Sequence, residues 1–243
     1  MDPMTPLVLL HAFPLNPSMW EPQMAALGPR KILAPAFPGF GERTPGTPSL
    51  EAFAETILSD MDREGVDEAI FVGLSMGGYV AFRLFDLAPE RFRGLVLADT
   101  RAGADNEEGR QKRSDQAARA RREGIGWLPE ALLPALLGRT TREERPGVVQ
   151  RVRDIIEAAT PEGVARALEA MRERSDSTPL LQKIRVPVLV LCGEEDTLTP
   201  VEEARQMARG VKDGRLVVLP GAGHLANLET PDAFNQALLG FLG

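Results

Sequence analysis

Apolar residues along this chain fall into two alternating patterns. Short unbroken runs occur at Pro6–Leu10 (PLVLL), Lys31–Ala34 (KILA), Ala69–Gly73 (AIFVG) and Leu95–Ala98 (LVLA). They are too short for helices and read as buried strands. Between them, Leu50–Arg63 places Phe53, Ile57, Leu58 and Met61 on one side of a helix. Met76–Leu87 reads as a second helix, closed by Pro89. Continuous apolar strands alternating with helices predict a mostly parallel sheet covered on both faces.

The alternation stops at Arg101. From there to Thr178 no strand pattern occurs; Arg, Glu, Ala and Leu dominate. Turn signals at Gly124-Ile125-Gly126, Pro134, Gly138 and Pro146-Gly147 divide this stretch into three or four expected helices. Thr141–Glu144 fits a capping box, and Thr160-Pro161 fits an N-cap with proline at the first helical position. The β-α pattern resumes with a strand at Val186–Cys192 (VPVLVLC). Thr199-Pro200-Val201-Glu202 then opens a helix with a capping box and an N1 proline. A strand at Arg215–Leu219 follows, and Thr230-Pro231 opens the last helix. The expected organisation is an α/β core, residues 1–100 and 179–243, interrupted by a helical insertion, residues 101–178. About six strands are expected.

Composition narrows the function. With 243 residues, 43% of them hydrophobic and 26% charged, the chain has an ordinary globular balance and enough apolar material for one large α/β domain. A net charge of -7 disfavours a nucleic-acid partner, which needs a basic face. No run approaches a transmembrane helix in length, so no membrane partner is expected. Met1–Thr5 lacks the basic start and apolar stretch of a signal peptide, and the single Cys192 allows no internal disulfide. The expectation is a cytoplasmic protein.

The chemistry centres on Gly73-Leu74-Ser75-Met76-Gly77, followed by Gly78, directly between a predicted strand and a predicted helix. In that setting the pattern reads as a nucleophile elbow, with Ser75 held at a sharp turn. The flanking glycines remove Cβ atoms that would clash, and the helix N-terminus favours developing negative charge. An isolated serine is a poor nucleophile and needs a base. Of the two histidines, His11 follows the first strand, and only His224 lies downstream, in Gly221-Ala222-Gly223-His224-Leu225 after the last strand. The acid should follow a strand between serine and histidine. Asp196 in Gly193-Glu194-Glu195-Asp196-Thr197 is the preferred candidate, with Glu194 and Glu195 as solvated loop charges. Asp99, at the end of LVLA, is the competitor.

These segments, together with His11-Ala12-Phe13-Pro14 and Pro38-Gly39-Phe40-Gly41, resemble the α/β-hydrolase superfamily over nearly the whole chain. The resemblance implies an α/β-hydrolase fold whose insertion forms a helical cap. It also implies a Ser75–His224–Asp196 triad and an oxyanion hole from the Phe13 and Met76 amides, with His11 structural. Alanine at position 12 departs from the usual glycine. The antiparallel hairpin that often precedes this motif has no room here, which would leave KILA at a sheet edge. An exposed edge must be blunted or paired, so a monomer or a homodimer is expected.

The implied activity is hydrolysis of a small or medium carboxylic ester, as in small bacterial esterases and enol-lactonases. Lactonase, thioesterase, C–C hydrolase and cofactor-free perhydrolase chemistries use the same triad, and some such folds act as ligand receptors. Haloalkane dehalogenation is disfavoured, because it uses an aspartate where this chain has Ser75. Trp127 and Leu128 are the expected substrate-binding residues of the insertion. No cofactor and no metal are expected: the histidines lie far apart in sequence and the cysteine has no neighbouring ligand.

Overall fold

The structure, a computed structural model, describes residues 4–243, so Met1, Asp2 and Pro3 of the N-terminal segment lie outside it. In chain order the regular elements are β1 (Leu7–Leu10), α1 (Glu21–Ala26), β2 (Ile32–Leu33), α2 (Leu50–Arg63), β3 (Ala69–Leu74), α3 (Met76–Leu87) and β4 (Phe92–Ala98). A helical stretch follows: α4 (Glu107–Glu123), α5 (Leu128–Leu136), α6 (Arg139–Glu144), α7 (Pro146–Glu157), α8 (Pro161–Arg172) and α9 (Thr178–Leu181). The chain closes with β5 (Val188–Gly193), α10 (Val201–Gly210), β6 (Gly214–Leu219), α11 (Ala226–Glu229) and α12 (Pro231–Leu242).

The six strands form one sheet in the order β2-β1-β3-β4-β5-β6, and every neighbouring pair is parallel. β1, β3 and β5 are buried at every position, as expected of strands covered on both faces. The KILA run contributes only Ile32 and Leu33, at one edge, so that edge is too short to template another strand. The chain reverses its direction across the sheet at β1, whose neighbours are β2 and β3. With right-handed crossovers this puts the β1–β2 connection and the later connections on opposite faces. Such a reversal opens a crevice at the carboxyl ends of the strands. Among the described residues, no helix is long and apolar enough to cross a membrane.

The helix boundaries follow local chemistry in most places. Ser49 caps α2 by accepting from the Ala52 N–H at 3.0 Å, and Phe53, Ile57 and Met61 are buried beneath that helix. Thr160 caps α8 in the same way, accepting from Gly163 N–H at 3.0 Å. Two expected capping boxes are corrected. α6 starts earlier, with Gly138 at its N-cap, and Thr141 is buried inside the helix. α10 has Pro200 at its N-cap, and the Thr199 hydroxyl is used elsewhere. The stretch between β4 and residue 178 holds five helices where three or four were expected: the chain breaks at the turn signals at Gly124–Gly126, Gly138 and Pro146 and again before Pro161, while Pro134 lies inside α5 and does not end it.

Candidate active site

Ser75 stands between β3 and α3 with φ 55° and ψ -113°, a conformation that costs a non-glycine residue about 1–3 kcal/mol. Its surroundings hold it there. The Ser75 N–H donates to Ala98 O at 3.0 Å, and the Thr100 hydroxyl donates to Ser75 O at 2.8 Å. The neighbouring glycines are required by close packing. A Cβ at Gly73 would meet Gly77 O at 2.5 Å, and one at Gly77 would meet Leu10 O at 2.0 Å. The turn is therefore pressed against both β1 and the helix it opens.

Three strand ends converge on this serine. Ser75 Oγ lies 2.7 Å from His224 Nε2, and His224 Nδ1 lies 2.9 Å from Asp196 Oδ2. The consistent hydrogen pattern has Oγ–H donating to Nε2 and Nδ1–H donating to the carboxylate. Asp196 is fully satisfied: Oδ1 accepts from the Leu198 and Thr199 amides at 2.8 and 3.0 Å, and Oδ2 also accepts from the Thr199 hydroxyl at 2.5 Å. Thr199 Oγ1 is also 3.3 Å from His224 Nδ1. Burial raises the Asp196 pKa, but the charge and hydrogen bond of His224 and the bonds from Thr199 outweigh it, and the net shift is downward.

Asp99, the other candidate acid, is fully buried at φ 42°, and its hydrogen bonds go to backbone amides and not to the imidazole. Its oxygens accept from Gly193 N–H at 2.7 Å and, more weakly, from Ala226 N–H at 3.4 Å. Burial first, and the nearby charge of Asp196 second, raise its pKa well above the usual carboxylate range. Asp99, Cys192 and Asp196 bring their ligand-type atoms within 4.8 Å of one another. This cluster is poorly suited to a metal. Both carboxylates are already hydrogen-bonded, and burial followed by the two negative charges pushes the thiol pKa strongly upward.

The turn after β1 lies beside the same serine. Phe13 lines the cavity over Ser75, and neither the Phe13 nor the Met76 amide is engaged in a turn, loop or cap hydrogen bond. His11 is fully buried below them. Its Nδ1 pairs with Ala12 O at 2.9 Å, and Nε2 accepts from Phe37 N–H at 3.0 Å. Burial lowers its pKa to about 4, so it is a neutral tie between two loops.

The segment around α6 clasps both loops that carry His224 and Asp196. Glu195 accepts from Thr140 N–H at 2.8 Å and from the Thr140 hydroxyl at 2.5 Å, so it is a docking group and not the solvated charge expected. The buried Glu229 accepts from the amides of Gly138, Gly223 and Leu225 at 2.8, 2.9 and 3.1 Å. Two of those amides flank His224. Arg145 completes the clasp by donating to Gly221 O and Glu229 O at 2.9 and 3.0 Å. No sequence signal marks Glu229 or Arg145.

Ser75 and His224 open into a cavity of about 910 Å³. Trp127, Leu132, Leu136, Leu168, Met171 and Leu198 supply its apolar wall. Trp127 is fixed by its indole N–H donating to Gly124 O at 2.9 Å and by the Arg119 guanidinium 4.1 Å above its ring. Leu128 is absent from the wall. At 1% exposure it is packed in the core, one turn before the cavity-lining Ala131 and Leu132 on the same face of α5, which corrects its expected place in the pocket.

Comparison with known proteins gives a consistent result. The sequence profile described as the Alpha/beta hydrolase family matches residues 7–237. The chain is 28% identical to the 3-oxoadipate enol-lactonase 2 of Acinetobacter baylyi, over 96% of this chain and 86% of that one. It is similar to a solved, malate-bound thermophilic esterase from Thermogutta terrifontis: 39% identity, TM-score 0.95, covering 98% of this chain and 89% of the other. It is also similar to the solved enol-lactonase from Burkholderia xenovorans: 32% identity, TM-score 0.90, covering 98% and 91%.

Proposed function

This chain belongs to the alpha/beta hydrolase family, and on that premise we propose that it is a serine hydrolase acting on small to medium carboxylic esters through an acyl-enzyme. The observation that carries the reading is the unbroken hydrogen-bonded chain from Ser75 Oγ through His224 to Asp196, at the floor of a largely apolar cavity.

Each group has a role that its position supports. Ser75 Oγ attacks the acyl carbonyl while His224 Nε2 takes its proton. Asp196 fixes the imidazole tautomer and stabilises the imidazolium that forms. The carbonyl oxygen becomes an oxyanion and is met by the Phe13 and Met76 amides, each worth about 10²–10³ in rate in comparable sites. Collapse expels the alcohol, which takes the proton back from His224. Water, deprotonated by His224, then attacks the acyl-enzyme and releases the acid and Ser75. The apolar wall keeps bulk water from competing with these interactions.

Lactones are the second reading. The likeness to two enol-lactonases favours it, and ring opening uses the same steps, with the alcohol remaining tethered to the acyl group. The test is a panel of p-nitrophenyl esters of graded acyl length, with lactones and acyl thioesters, run on the wild type and on Ser75→Ala. Ester or lactone turnover that vanishes in the folded variant supports the proposal. Stoichiometric acylation without turnover would instead favour a receptor role.

A further inference from the structure

One wall of the cavity carries more positive charge than its own carboxylates neutralise. Asp105, with a side chain only 2% exposed, is shared by three guanidiniums. Arg101 donates to it at 2.5 Å, Arg113 at 2.5 Å and Arg174 at 2.8 Å. One negative charge thus faces three positive ones. Two further carboxylates on this wall, Glu108 and Asp115, are exposed at its rim. Arg101 and Arg113 line the cavity. Arg101 reaches Asp105 through Nη2 alone, and its Nε is buried without a partner.

Tyr79 connects this cluster to the nucleophile. It sits one helical turn after Ser75, with its N–H on Ser75 O at 3.3 Å, and helical side chains lean back over the preceding turn. It is 6% exposed and lines the cavity, and its ring lies 4.2 Å beneath the Arg174 guanidinium. Among the described residues its hydroxyl makes no hydrogen bond, which leaves it available to a group bound in the cavity. A phenol free to donate, spare guanidinium N–H groups and surplus positive charge around one cavity wall are complementary to an anionic oxygen group, and on a substrate of this hydrolase that group is a carboxylate.

Building on the serine-hydrolase reading, we infer that the substrate is an ester or lactone bearing a free carboxylate, which Arg101 and Tyr79 bind, with Arg113 beside them. The reacting carbonyl lies over Ser75, the hydrocarbon part lies along Trp127 and Leu132, and the anionic end points to the arginine cluster. Hydrolysis of such a substrate yields a dicarboxylate or a hydroxy- or oxo-acid with a second acid group.

The test compares monoethyl glutarate and monoethyl adipate with the neutral ethyl pentanoate and ethyl hexanoate, followed by proton release. The wild type should favour the anionic ester of each pair by about 10- to 100-fold in kcat/KM, the span of one charge-assisted hydrogen bond. Arg101→Gln should collapse that ratio to within a few-fold of unity. Tyr79→Phe, which deletes only an unpartnered hydroxyl and leaves the packing intact, should raise KM for the anionic esters several-fold more than for the neutral ones. It decides the matter if the arginine variant fails to fold. A wild type that hydrolyses both classes equally, or prefers the neutral esters, overturns the inference and leaves the Ser75 reading standing. An anionic preference that survives both substitutions overturns the assignment to these residues. If neither class is hydrolysed but a fluorophosphonate labels Ser75, the substrate class is wrong and the nucleophile stands. If Ser75 is not labelled either, both fall together.

Discussion

The Thr199 hydroxyl donates to Asp196 Oδ2 at 2.5 Å, the same oxygen that receives the His224 N–H. The threonine therefore helps to hold a buried carboxylate ionised and aimed at the imidazole. Thr199→Val keeps the shape and removes the donor. It should lower stability by about 1.5–3 kcal/mol, the range for a hydrogen bond to a charged group, and reduce kcat/KM about tenfold. Thr199→Ser should retain most of both. Thermal unfolding and ester kinetics on the two variants check this; equal losses from both would mean that packing, not the hydroxyl, matters.

Asp196 and Asp99 both follow strands, yet the imidazole's hydrogen bond goes to Asp196 while Asp99 accepts from backbone amides. Asp196→Asn should reduce kcat about 10⁴-fold, as expected when the imidazole loses its orienting carboxylate. Asp99→Asn should stay within about tenfold in kcat and show its main effect on stability, since it loses an acceptor for buried amides. Measured kcat values with the order reversed would move the acid role to Asp99.

Glu229 joins the loop bearing His224 to the start of α6 through three buried amides. Glu229→Ala would strand those donors, at about 1–3 kcal/mol each, and free the loop on both sides of the base. A loss of several kcal/mol in chemical unfolding and a fall in kcat of at least tenfold are expected. Glu229→Gln, which keeps one acceptor oxygen, should recover part of each. Unchanged kcat in a folded Glu229→Ala would show that His224 needs no support from this carboxylate.

His11 should make the fold acid-sensitive. Its folded pKa is about 4 and an unfolded histidine titrates near 6.5. Between these values the unfolded chain binds the extra proton, so stability falls as pH drops from about 6.5 to about 4, by up to about 3 kcal/mol. Above about 6.5 this group contributes no pH dependence. Denaturant unfolding of the wild type and His11→Gln across that window checks the sign. The variant should start less stable, and the gap should narrow toward pH 4; a constant gap would contradict the account.

Much of this site is legible in the sequence, for a physical reason. Ser75, Asp196 and His224 each follow an apolar run, and a parallel sheet brings the carboxyl ends of its strands to one edge. The elbow glycines are readable because only a residue without Cβ fits 2.0–2.5 Å from backbone oxygens. What was not legible depends on packing across long separations. Thr199 matches a capping box letter for letter, and only the position of the Asp196 carboxylate diverts its hydroxyl. Leu128 and Trp127 are neighbours, and which one faces the cavity is set by how α5 docks. Asp105 draws Arg101, Arg113 and Arg174 from three separate stretches, and nothing local marks them as one cluster.

The central claim is that Ser75 Oγ becomes acylated with His224 as its base. The most direct measurement is peptide mass mapping after rapid acid quench of the wild type mixed with an activated ester, alongside Ser75→Ala and His224→Ala. The acyl mass should appear on the peptide containing Ser75 in the wild type and be missing from both variants, with turnover lost in each. An acyl group on another residue, or undiminished turnover by folded Ser75→Ala, would contradict the account.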